Sequence, residues 1–253
     1  MDIDSIFKTY GNIEKNIHIS WKTNDIFDMD FHIVKHGVGA LKRLNPEYNF
    51  QISDNQEVED YIKKHIPSED YELIKNKHIV EKVDLWRLLK IYHEGGVYID
   101  IDRFYNIPLR EVIKPGVKCL LPTFYNADFS QDIMISCSGN MFHKRAIELN
   151  LERRRAGWTD VLSLGPITYF NAITELMIGE QLNNSPGAEK FGRLLKIIAN
   201  SPYLDTYYEI PLYNTLVYRG ESIPHDKDEF YKACDVRHWT LEQSIDPQYL
   251  PKW

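Results

Sequence analysis

The stretch that decides the fold runs from Val83 to Asp102 and reads VDLWRLLKIYHEGGVYIDID. Apolar side chains recur at helical spacing in and just before its first half, which predicts a helix over residues 81–93. Gly95 and Gly96 end that helix, because glycine readily takes the left-handed conformation of a helix C-cap. Residues 97–102 then predict an apolar strand that carries two aspartates at its carboxyl end.

Alternating strand and helix patterns surround this stretch. Strands are predicted at residues 17–21, 48–52, 117–121 and 133–137, and helices at 4–14, 31–45, 55–65, 143–155 and 167–178. Residues 180–193 predict a surface loop, residues 194–200 a helix, and the chain after Pro202 short strands. This alternation predicts a layered α/β domain.

The composition limits the classes of function. The chain has 253 residues, of which 43% are hydrophobic, and a formal net charge of -7. An acidic balance argues against nucleic acid as the main partner, because its phosphates attract basic surfaces. The basic run Arg153–Arg155 is interpreted as a solvated helix face.

Cysteine content and hydropathy indicate a compartment. The three cysteines lack a C-x-x-C pair, which argues against a disulfide framework and favours a reducing compartment. The polar N-terminus has no apolar segment of the signal-peptide type, and no window approaches 18 apolar residues. We therefore expect no transmembrane segment and a cytoplasmic location.

The chain contains four D-x-D triplets, so the triplet alone is weak evidence, and context must choose among Asp2/Asp4, Asp28/Asp30, Asp100/Asp102 and Asp226/Asp228. Of these, the pair Asp100/Asp102 ends a strand that is predicted to be buried on both faces. Residues two apart on a strand point the same way, so both carboxylates should converge at the carboxyl edge of the sheet. Paired carboxylates suit Mg²⁺ or Mn²⁺, although solvated strand-end aspartates would look the same.

A second pair of charged residues lies on the preceding helix. Asp84 and Arg87 are three residues apart and therefore share one helix face. A carboxylate beside a guanidinium can hydrogen-bond a sugar ring while each balances the other's charge. An ordinary surface ion pair would have the same spacing.

Together these residues resemble the signature of the DXD-motif glycosyltransferases of family 32, which is similar to the glucosylating clostridial toxins. That family shows a D-x-x-R helix followed by Y-x-x-G-G-x-Y-x-D-x-D, and the corresponding elements here run from Asp84 to Asp102. Residues 17–21, IHISW, resemble the first strand of the family, and Gly165–Pro166 resembles a turn near its acceptor side. The resemblance covers roughly residues 16–170.

The resemblance implies a GT-A-like single domain over residues 1–253, with a mostly parallel central sheet and helical additions. Residues 16–125 would form the nucleotide-sugar half, and residues 126–253 the acceptor side and a C-terminal tail. The implied reaction moves a hexose, with retention of configuration, from a nucleotide-sugar to a glycan or polysaccharide. A UDP-sugar is favoured as the donor, and GDP-mannose is allowed.

The resemblance also implies roles for individual residues. Trp21 would stack on the nucleotide base, although an aromatic residue on a first strand is often a core anchor. Asp84 and Arg87 would hold the donor sugar, with Tyr98 also in the donor site.

Asp100 and Asp102 would be the catalytic pair. Asp100 would contact the sugar or ribose and assist the metal, and Asp102 would bind Mn²⁺ or Mg²⁺ directly. His238 is a candidate for a further metal ligand, in a tail that could cover the donor, although His238 and Trp239 could equally dock that tail on the core.

Two other interpretations stay open. A haloacid-dehalogenase-like phosphotransferase also places D-x-D after an apolar strand. That class has Thr or Val two positions after the second aspartate, where this chain has Phe104, and it uses the first strand. A non-catalytic module that binds a sugar nucleotide is the second alternative.

Overall fold

The computed structural model describes residues 3–105, 108–124, 128–182, 187–218 and 223–236. The helices are Ile3–Thr9 (α1), His32–His36 (α2), Val38–Leu44 (α3), Asn55–His65 (α4), Ser68–Glu72 (α5), Ile79–Glu94 (α6), Leu109–Val112 (α7), Met141–Arg155 (α8), Val161–Leu164 (α9), Pro166–Ile178 (α10), Gly187–Asn200 (α11) and Ile223–Ala233 (α12). The strands are Asn16–Ser20 (β1), Asn49–Ser53 (β2), Gly96–Ile99 (β3), Phe104–Tyr105 (β4), Cys119–Leu120 (β5), Ile133–Ser136 (β6), Tyr208–Glu209 (β7) and Val217–Tyr218 (β8). Short 3-10 helices lie at Ile26–Asp28 and Tyr213–Thr215.

A six-stranded sheet in the order β2-β1-β3-β6-β5-β7 forms the centre of the fold. β2, β1 and β3 are parallel neighbours, β6 runs antiparallel to β3 and β5, and β7 is parallel to β5. Five of the six strands therefore run in one direction, and the predicted mostly parallel sheet is confirmed. A separate antiparallel pair joins β4 to β8.

The central strand β3 is buried on both faces and separates two hydrophobic cores. Val97 and Ile99 pack into one core with side chains of α2, α3 and α12, while Tyr98 faces the other core with α4, α6, α8 and α10. This alternation follows from the pleat of a strand. The interior position fixes where β3 ends, and therefore where the D-x-D segment begins.

The exit from α6 into β3 uses two glycines with positive φ. Gly95 has φ 65° and Gly96 has φ 94°, a region that other residues rarely adopt. A Cβ on Gly96 would lie 2.5 Å from the carbonyl oxygen of Asn16 on β1. The predicted glycine exit is confirmed, and it lets α6 feed directly into the buried strand.

Four predictions of secondary structure, two of them helices, needed correction. The helix predicted over 31–45 is two helices, α2 and α3, because Gly37 lies against the backbone of Arg103 and leaves no space for a Cβ. The first helix ends at Thr9 rather than at residue 14. Residues 187–193, predicted as loop, begin α11, and α12 follows in a region predicted as short strands.

The basic run is not the solvated face that the sequence suggested. Arg153 and Arg154 are each 5% exposed. Arg154 donates to Glu81 at 3.2 Å, and Arg153 donates to the carbonyl of Ser163 at 2.6 Å. Of the three arginines, Arg155 has the exposed side chain. The run therefore stabilises the packing of α8 against its neighbours.

One helical stretch in the described part of the chain, Val161–Ile178, is long and apolar enough to cross a membrane by length and composition. The stretch contains polar residues, Ser163, Asn171 and Glu175 among them, so it is not a run of 18 apolar residues. Half of the stretch is buried, and a break at Gly165 divides it into α9 and α10. A buried core helix has the same composition, so the absence of a membrane span stays a prediction.

Candidate active site

The D-x-D segment forms a turn rather than the end of a strand. β3 stops at Ile99, and the amide of Asp100 donates to the carbonyl of Asp132 at 2.9 Å. The hydroxyl of Tyr105 donates to the carbonyl of Asp100 at 2.6 Å and holds the turn from the other side. The prediction that Asp100 and Asp102 lie on the same face of a strand is therefore wrong, because β3 has ended before Asp100.

Both aspartates nevertheless open onto one cleft of about 580 Å³. Its walls also include Trp21 after β1, Arg87 on α6 and Tyr98 on β3. Six of the seven candidate residues named from the sequence therefore meet at or beside this cleft. The seventh, His238, lies outside the described residues.

Asp84 lies behind the wall of the cleft rather than in it. Its Oδ1 accepts a hydrogen bond from Arg87 Nη2 at 2.6 Å, and the two residues are 5% and 7% exposed. Arg87 in turn donates from Nη1 to the carbonyl of Gln131 at 3.0 Å and to Oδ1 of Asp100 at 3.3 Å. The pair is thus a buried element of the site and not a surface ion pair.

Tyr98 positions two of these groups. Its hydroxyl donates to Asp100 Oδ1 at 2.5 Å, and its ring lies under the guanidinium of Arg87 at 4.7 Å. Tyr98 is 2% exposed and also packs edge-on against Trp86. The main contacts of Tyr98 are therefore with the protein, and these contacts hold Asp100 and Arg87 in position.

Burial sets the charge state of this network. Burial raises the pKa of Asp84 to about 6, although the neighbouring charge of Arg87 opposes the shift. The pKa of Asp100 is also raised by burial, against the effect of Arg87 and with a further contribution from Asp102. The positive charge of Arg87 is shared between these two carboxylates.

Asp102 has a different environment from Asp100. Its Oδ1 accepts from Arg103 Nη1 at 2.7 Å, and its Oδ2 accepts from the hydroxyl of Tyr231 at 2.9 Å and from the ammonium of Lys227. Burial would raise the pKa of Asp102, but Arg103 and Lys227 together hold that pKa below its ordinary value. Asp102 is therefore a buried, ionised carboxylate beside two cations.

A further aspartate, Asp132, directly precedes β6 and anchors Arg103. Arg103 Nε donates to Asp132 Oδ2 at 2.7 Å, and the hydroxyl of Tyr213 donates to the same oxygen at 2.5 Å. The strand order brings Asp132 to the D-x-D turn, because β6 is the neighbour of β3. No local sequence signal pointed to this residue.

The structure adds Lys227 and Tyr231 of α12 to the site. They are four residues apart, so they share a helix face, and both line the cleft. The triplet Asp226–Asp228 around Lys227 was visible in the sequence but was set aside as lacking a strand. Helical spacing of Lys227, Tyr231 and the buried Phe230 was the signal that could have identified α12.

Trp21 directly follows β1 and lies half-buried in the wall of the cleft. Its ring stacks on Phe230 with centroids 4.8 Å apart and lies 6.0 Å from the ring of Tyr231. The indole Nε1 is buried and has no hydrogen-bond partner among the described residues. Trp21 therefore packs against α12 through its ring, while its edge carries a buried donor that the described residues leave unpaired.

The glycine of the Gly165–Pro166 turn packs directly on Asp84. A Cβ on Gly165 would overlap Oδ2 of Asp84 and lie 3.0 Å from the carbonyl of Val161. Gly165 has φ -94°, so space and not backbone conformation requires glycine here. The turn that resembles a family feature thus supports the buried Asp84–Arg87 pair.

The residues present fit a divalent cation at Asp102. A cationic nitrogen, that of Lys227, already lies on Asp102 Oδ2 at the cleft, and Asp100 opens onto the same space. Within the described ranges no three His, Cys, Asp or Glu side chains form a group that could hold a metal. A cation here would therefore need ligand oxygens from a bound molecule in addition to the two aspartates.

Residues 26–117 match the family described as a glycosyltransferase sugar-binding region containing a DXD motif. The matched part contains Asp84, Arg87, Tyr98 and the D-x-D segment, whereas Trp21 and α12 lie outside it. The resemblance inferred from the sequence is therefore confirmed.

Two curated fungal proteins are similar to parts of the chain. Inositol phosphoceramide mannosyltransferase 3 of Schizosaccharomyces pombe is 27% identical over 111 residues, which are 40% of this chain and 29% of that protein. Mannosyl phosphorylinositol ceramide synthase CSH1 of Saccharomyces cerevisiae is 28% identical over 160 residues, which are 61% of this chain and 41% of that protein. The chain thus aligns with less than half the length of either relative.

The fold is similar to that of a solved glycosyltransferase, the PaToxG glycosyltransferase. The TM-score is 0.50 at 17% sequence identity, over 90% of this chain and 92% of the other. This likeness supports the GT-A-like α/β fold.

Proposed function

We propose that the chain is a metal-dependent, retaining glycosyltransferase that moves a hexose from a nucleotide-sugar to a glycan acceptor. One observation carries the proposal. The D-x-D aspartates, Arg87 and Trp21 meet in a single cleft of about 580 Å³, a size in the usual range for small-molecule sites. The family match and the mannosyltransferase relatives support the reaction class.

The cleft divides into regions of different chemistry that suit the parts of such a donor. The aromatic ring of Trp21, which lines the cleft, suits stacking on a flat nucleotide base. Arg87 and Asp100 offer donor and acceptor groups for sugar hydroxyls, backed by Asp84 and Tyr98. In this proposal Asp84 acts through Arg87, because it does not line the cleft.

Asp102, with Asp100, would hold Mn²⁺ or Mg²⁺. When bound, the ion would neutralise the diphosphate that leaves as the glycosidic bond breaks. Asp102 is kept ionised by its basic neighbours, which suits a metal ligand. No residue of the cleft is assigned as a nucleophile or general base, because in front-face attack the acceptor hydroxyl is the nucleophile and the leaving phosphate accepts its proton.

The resemblance to the glucosylating toxins favours a UDP-hexose as the donor, and GDP-mannose is the second candidate. The names of the two fungal relatives favour mannose, and their ceramide acceptors add a glycolipid to the glycan or polysaccharide acceptors considered from the sequence. The three cysteines are free and buried, which suits the proposed reducing, cytoplasmic setting.

The two alternatives make different demands. A haloacid-dehalogenase-like phosphotransferase places its aspartates after the first strand, whereas here they follow the third strand, β3. A non-catalytic binding module would bind the donor without turnover. The presence of both proposed metal ligands, Asp100 and Asp102, argues against that alternative.

A thermal-shift panel of UDP-glucose, UDP-galactose and GDP-mannose, each with and without Mn²⁺, tests the proposal. One nucleotide-sugar should raise the melting temperature only when Mn²⁺ is present, because a ligand that binds the folded state stabilises it. That donor should then be hydrolysed slowly without acceptor. Stabilisation without any turnover would favour the binding module, and no stabilisation by any donor would contradict the proposal.

A further inference from the structure

Lys227 of α12 places a positive charge on the proposed metal ligand. Its ammonium contacts Oδ2 of Asp102, and its side chain, 20% exposed, lines the cleft. α12 lies beyond residues 26–117, so the family match gives this lysine no role. The contact needs an explanation, because a lysine on a metal ligand competes with the metal.

Both oxygens of Asp102 are already engaged in the ligand-free chain. Oδ1 accepts from Arg103 at 2.7 Å, and Oδ2 accepts from Tyr231 at 2.9 Å and from Lys227. A cation that binds a carboxylate oxygen takes the space of a hydrogen-bond donor. Because a carboxylate oxygen has two lone pairs and Oδ2 already accepts from two donors, a cation that binds Oδ2 must displace Tyr231 or Lys227.

Lys227 is the group best able to leave. Arg103, on Oδ1, is also bound to Asp132 and to Tyr213, so its position is fixed from several sides. Tyr231 is held by its ring, which lies 6.0 Å from that of Trp21 and 5.8 Å from that of Phe230. The described contacts of the Lys227 ammonium are Asp102 and the ring of Tyr231, 5.6 Å away. A lysine has a flexible four-carbon stem and can turn without moving its helix.

A displaced ammonium in this cleft requires another anion. Of the other carboxylates at the cleft, Asp84 and Asp100 are already paired with Arg87, and Asp235 is exposed to solvent. A partly buried cation without a partner is unfavourable. If a nucleotide-sugar binds with its diphosphate on the metal, that diphosphate supplies the missing negative charge next to Asp102.

We propose that Lys227 stabilises the leaving diphosphate of the donor. In the ligand-free chain Lys227 pairs with Asp102, and once a divalent cation binds Oδ2 of Asp102 it pairs with the diphosphate instead. This inference rests on the proposed function. During transfer the bond between the anomeric carbon and the phosphate oxygen breaks, and the electron pair stays on that oxygen. The acceptor oxygen bonds to the anomeric carbon and its proton passes to the departing phosphate, while Lys227 stabilises the phosphate charge.

Calorimetry on Lys227→Ala tests the exchange, because the proposal predicts opposite changes in two affinities, one for Mn²⁺ and one for the nucleoside diphosphate. Removing the competing ammonium should tighten binding of Mn²⁺ alone by roughly tenfold. With saturating Mn²⁺, the same variant should bind UDP or GDP, whichever binds the wild type, roughly tenfold more weakly. Binding of the corresponding nucleoside, which has no phosphate, should not change.

Two further variants control the measurement. Lys232→Ala removes a lysine from the exposed side of the same helix and should leave both affinities unchanged. Lys227→Arg keeps the positive charge and should retain most of the affinity for the nucleoside diphosphate. If Lys227→Ala is unstable, Lys227→Gln keeps the length of the stem and carries the same two expectations.

The outcomes separate the two proposals. Wild-type protein that binds neither UDP nor GDP with Mn²⁺ would overturn the proposed function, and with it the role of Lys227. Wild-type binding that Lys227→Ala leaves unchanged would overturn the lysine role while leaving the proposed function in place. Equal weakening of Mn²⁺ alone and of the diphosphate would reject the exchange, because it would show that Lys227 only supports the site.

Discussion

Arg87 donates from Nη2 to Oδ1 of Asp84 over 2.6 Å, and both side chains are less than a tenth exposed. The same guanidinium reaches Asp100, so one side chain links helix α6 to the D-x-D turn. Buried ion pairs add little net stability compared with apolar packing, because both charges lose water. Their position beside the cleft points to a role in binding rather than in stability alone.

Arg87→Ala should weaken binding of the nucleotide-sugar more than binding of the bare nucleoside diphosphate. The reason is that Arg87 faces the region assigned to the sugar, whereas the diphosphate is assigned to Asp102. The variant should also lose about 3 kcal/mol of unfolding free energy, because Asp84 is left buried without its cation. Calorimetry and urea unfolding measure the two effects.

Arg110→Ala is the matched control for Arg87→Ala, since that guanidinium is 58% exposed and lies outside the cleft. It should change neither quantity appreciably. Equal losses of affinity for nucleotide-sugar and nucleoside diphosphate in Arg87→Ala would reject a sugar-specific role.

Asp84 should impose a pH dependence on stability. Its pKa is raised from 3.8 to about 6, mainly by burial, so the folded state favours the protonated form. The stabilisation from this group is complete below pH 3.8 and is lost as the pH rises through about 6. Asp84→Asn removes this titration and should gain, relative to wild type, up to roughly 3 kcal/mol across that interval.

Urea unfolding of both proteins at pH values between 4 and 7 measures the difference for Asp84. A difference between Asp84→Asn and wild type that does not change with pH would show that Asp84 titrates at its ordinary value.

Gly165→Ala should destabilise the fold through Asp84. The new methyl group would overlap the buried carboxylate, and overpacking of this kind costs about 1–3 kcal/mol. In an Asp84→Ala background the space is free, so the same substitution should cost much less. Thermal unfolding of the four proteins gives the coupling. Additive effects of the two substitutions would contradict the contact.

Trp21→Ala should weaken binding of the nucleoside diphosphate by at least about tenfold, because stacking on a base contributes about 1–3 kcal/mol. Trp21→Phe keeps a ring that can stack and should retain most of the affinity. Trp158, which is 42% exposed, provides the control substitution Trp158→Ala. If Trp21→Ala binds the diphosphate normally, the indole serves only to anchor α12 through Phe230.

Much of the fold could be predicted from periodicity alone. The buried helix α6, its glycine exit and the apolar strand β3 follow from a single twenty-residue stretch, because spacing and glycine conformation are local properties. Gly37 shows the limit. It divides a predicted helix for a non-local reason, the close approach of Arg103, which no local pattern contains.

The site was predicted in part for the same reason. Asp84, Arg87, Asp100 and Asp102 lie close together in sequence and could be recognised as a group. Asp132 and Lys227 reach Arg103 and Asp102 from distant strands and helices, so only the sheet order and the packing of α12 bring them there. The shared direction of the D-x-D carboxylates was inferred from strand geometry, but β3 ends at Ile99, three residues before Asp102.

Donor turnover by Asp102→Asn, compared with Asp228→Asn, tests the glycosyltransferase assignment most directly. Asp228 belongs to a different D-x-D triplet, Asp226/Asp228 in α12, and is exposed, so it controls for the loss of one aspartate. With Mn²⁺ and the donor that stabilises the wild type, Asp102→Asn should reduce turnover roughly a thousandfold with the fold intact, and Asp228→Asn should not. A chelator should abolish wild-type turnover. Wild-type turnover that survives the chelator, or full activity of Asp102→Asn, would contradict a metal-dependent transferase at this aspartate.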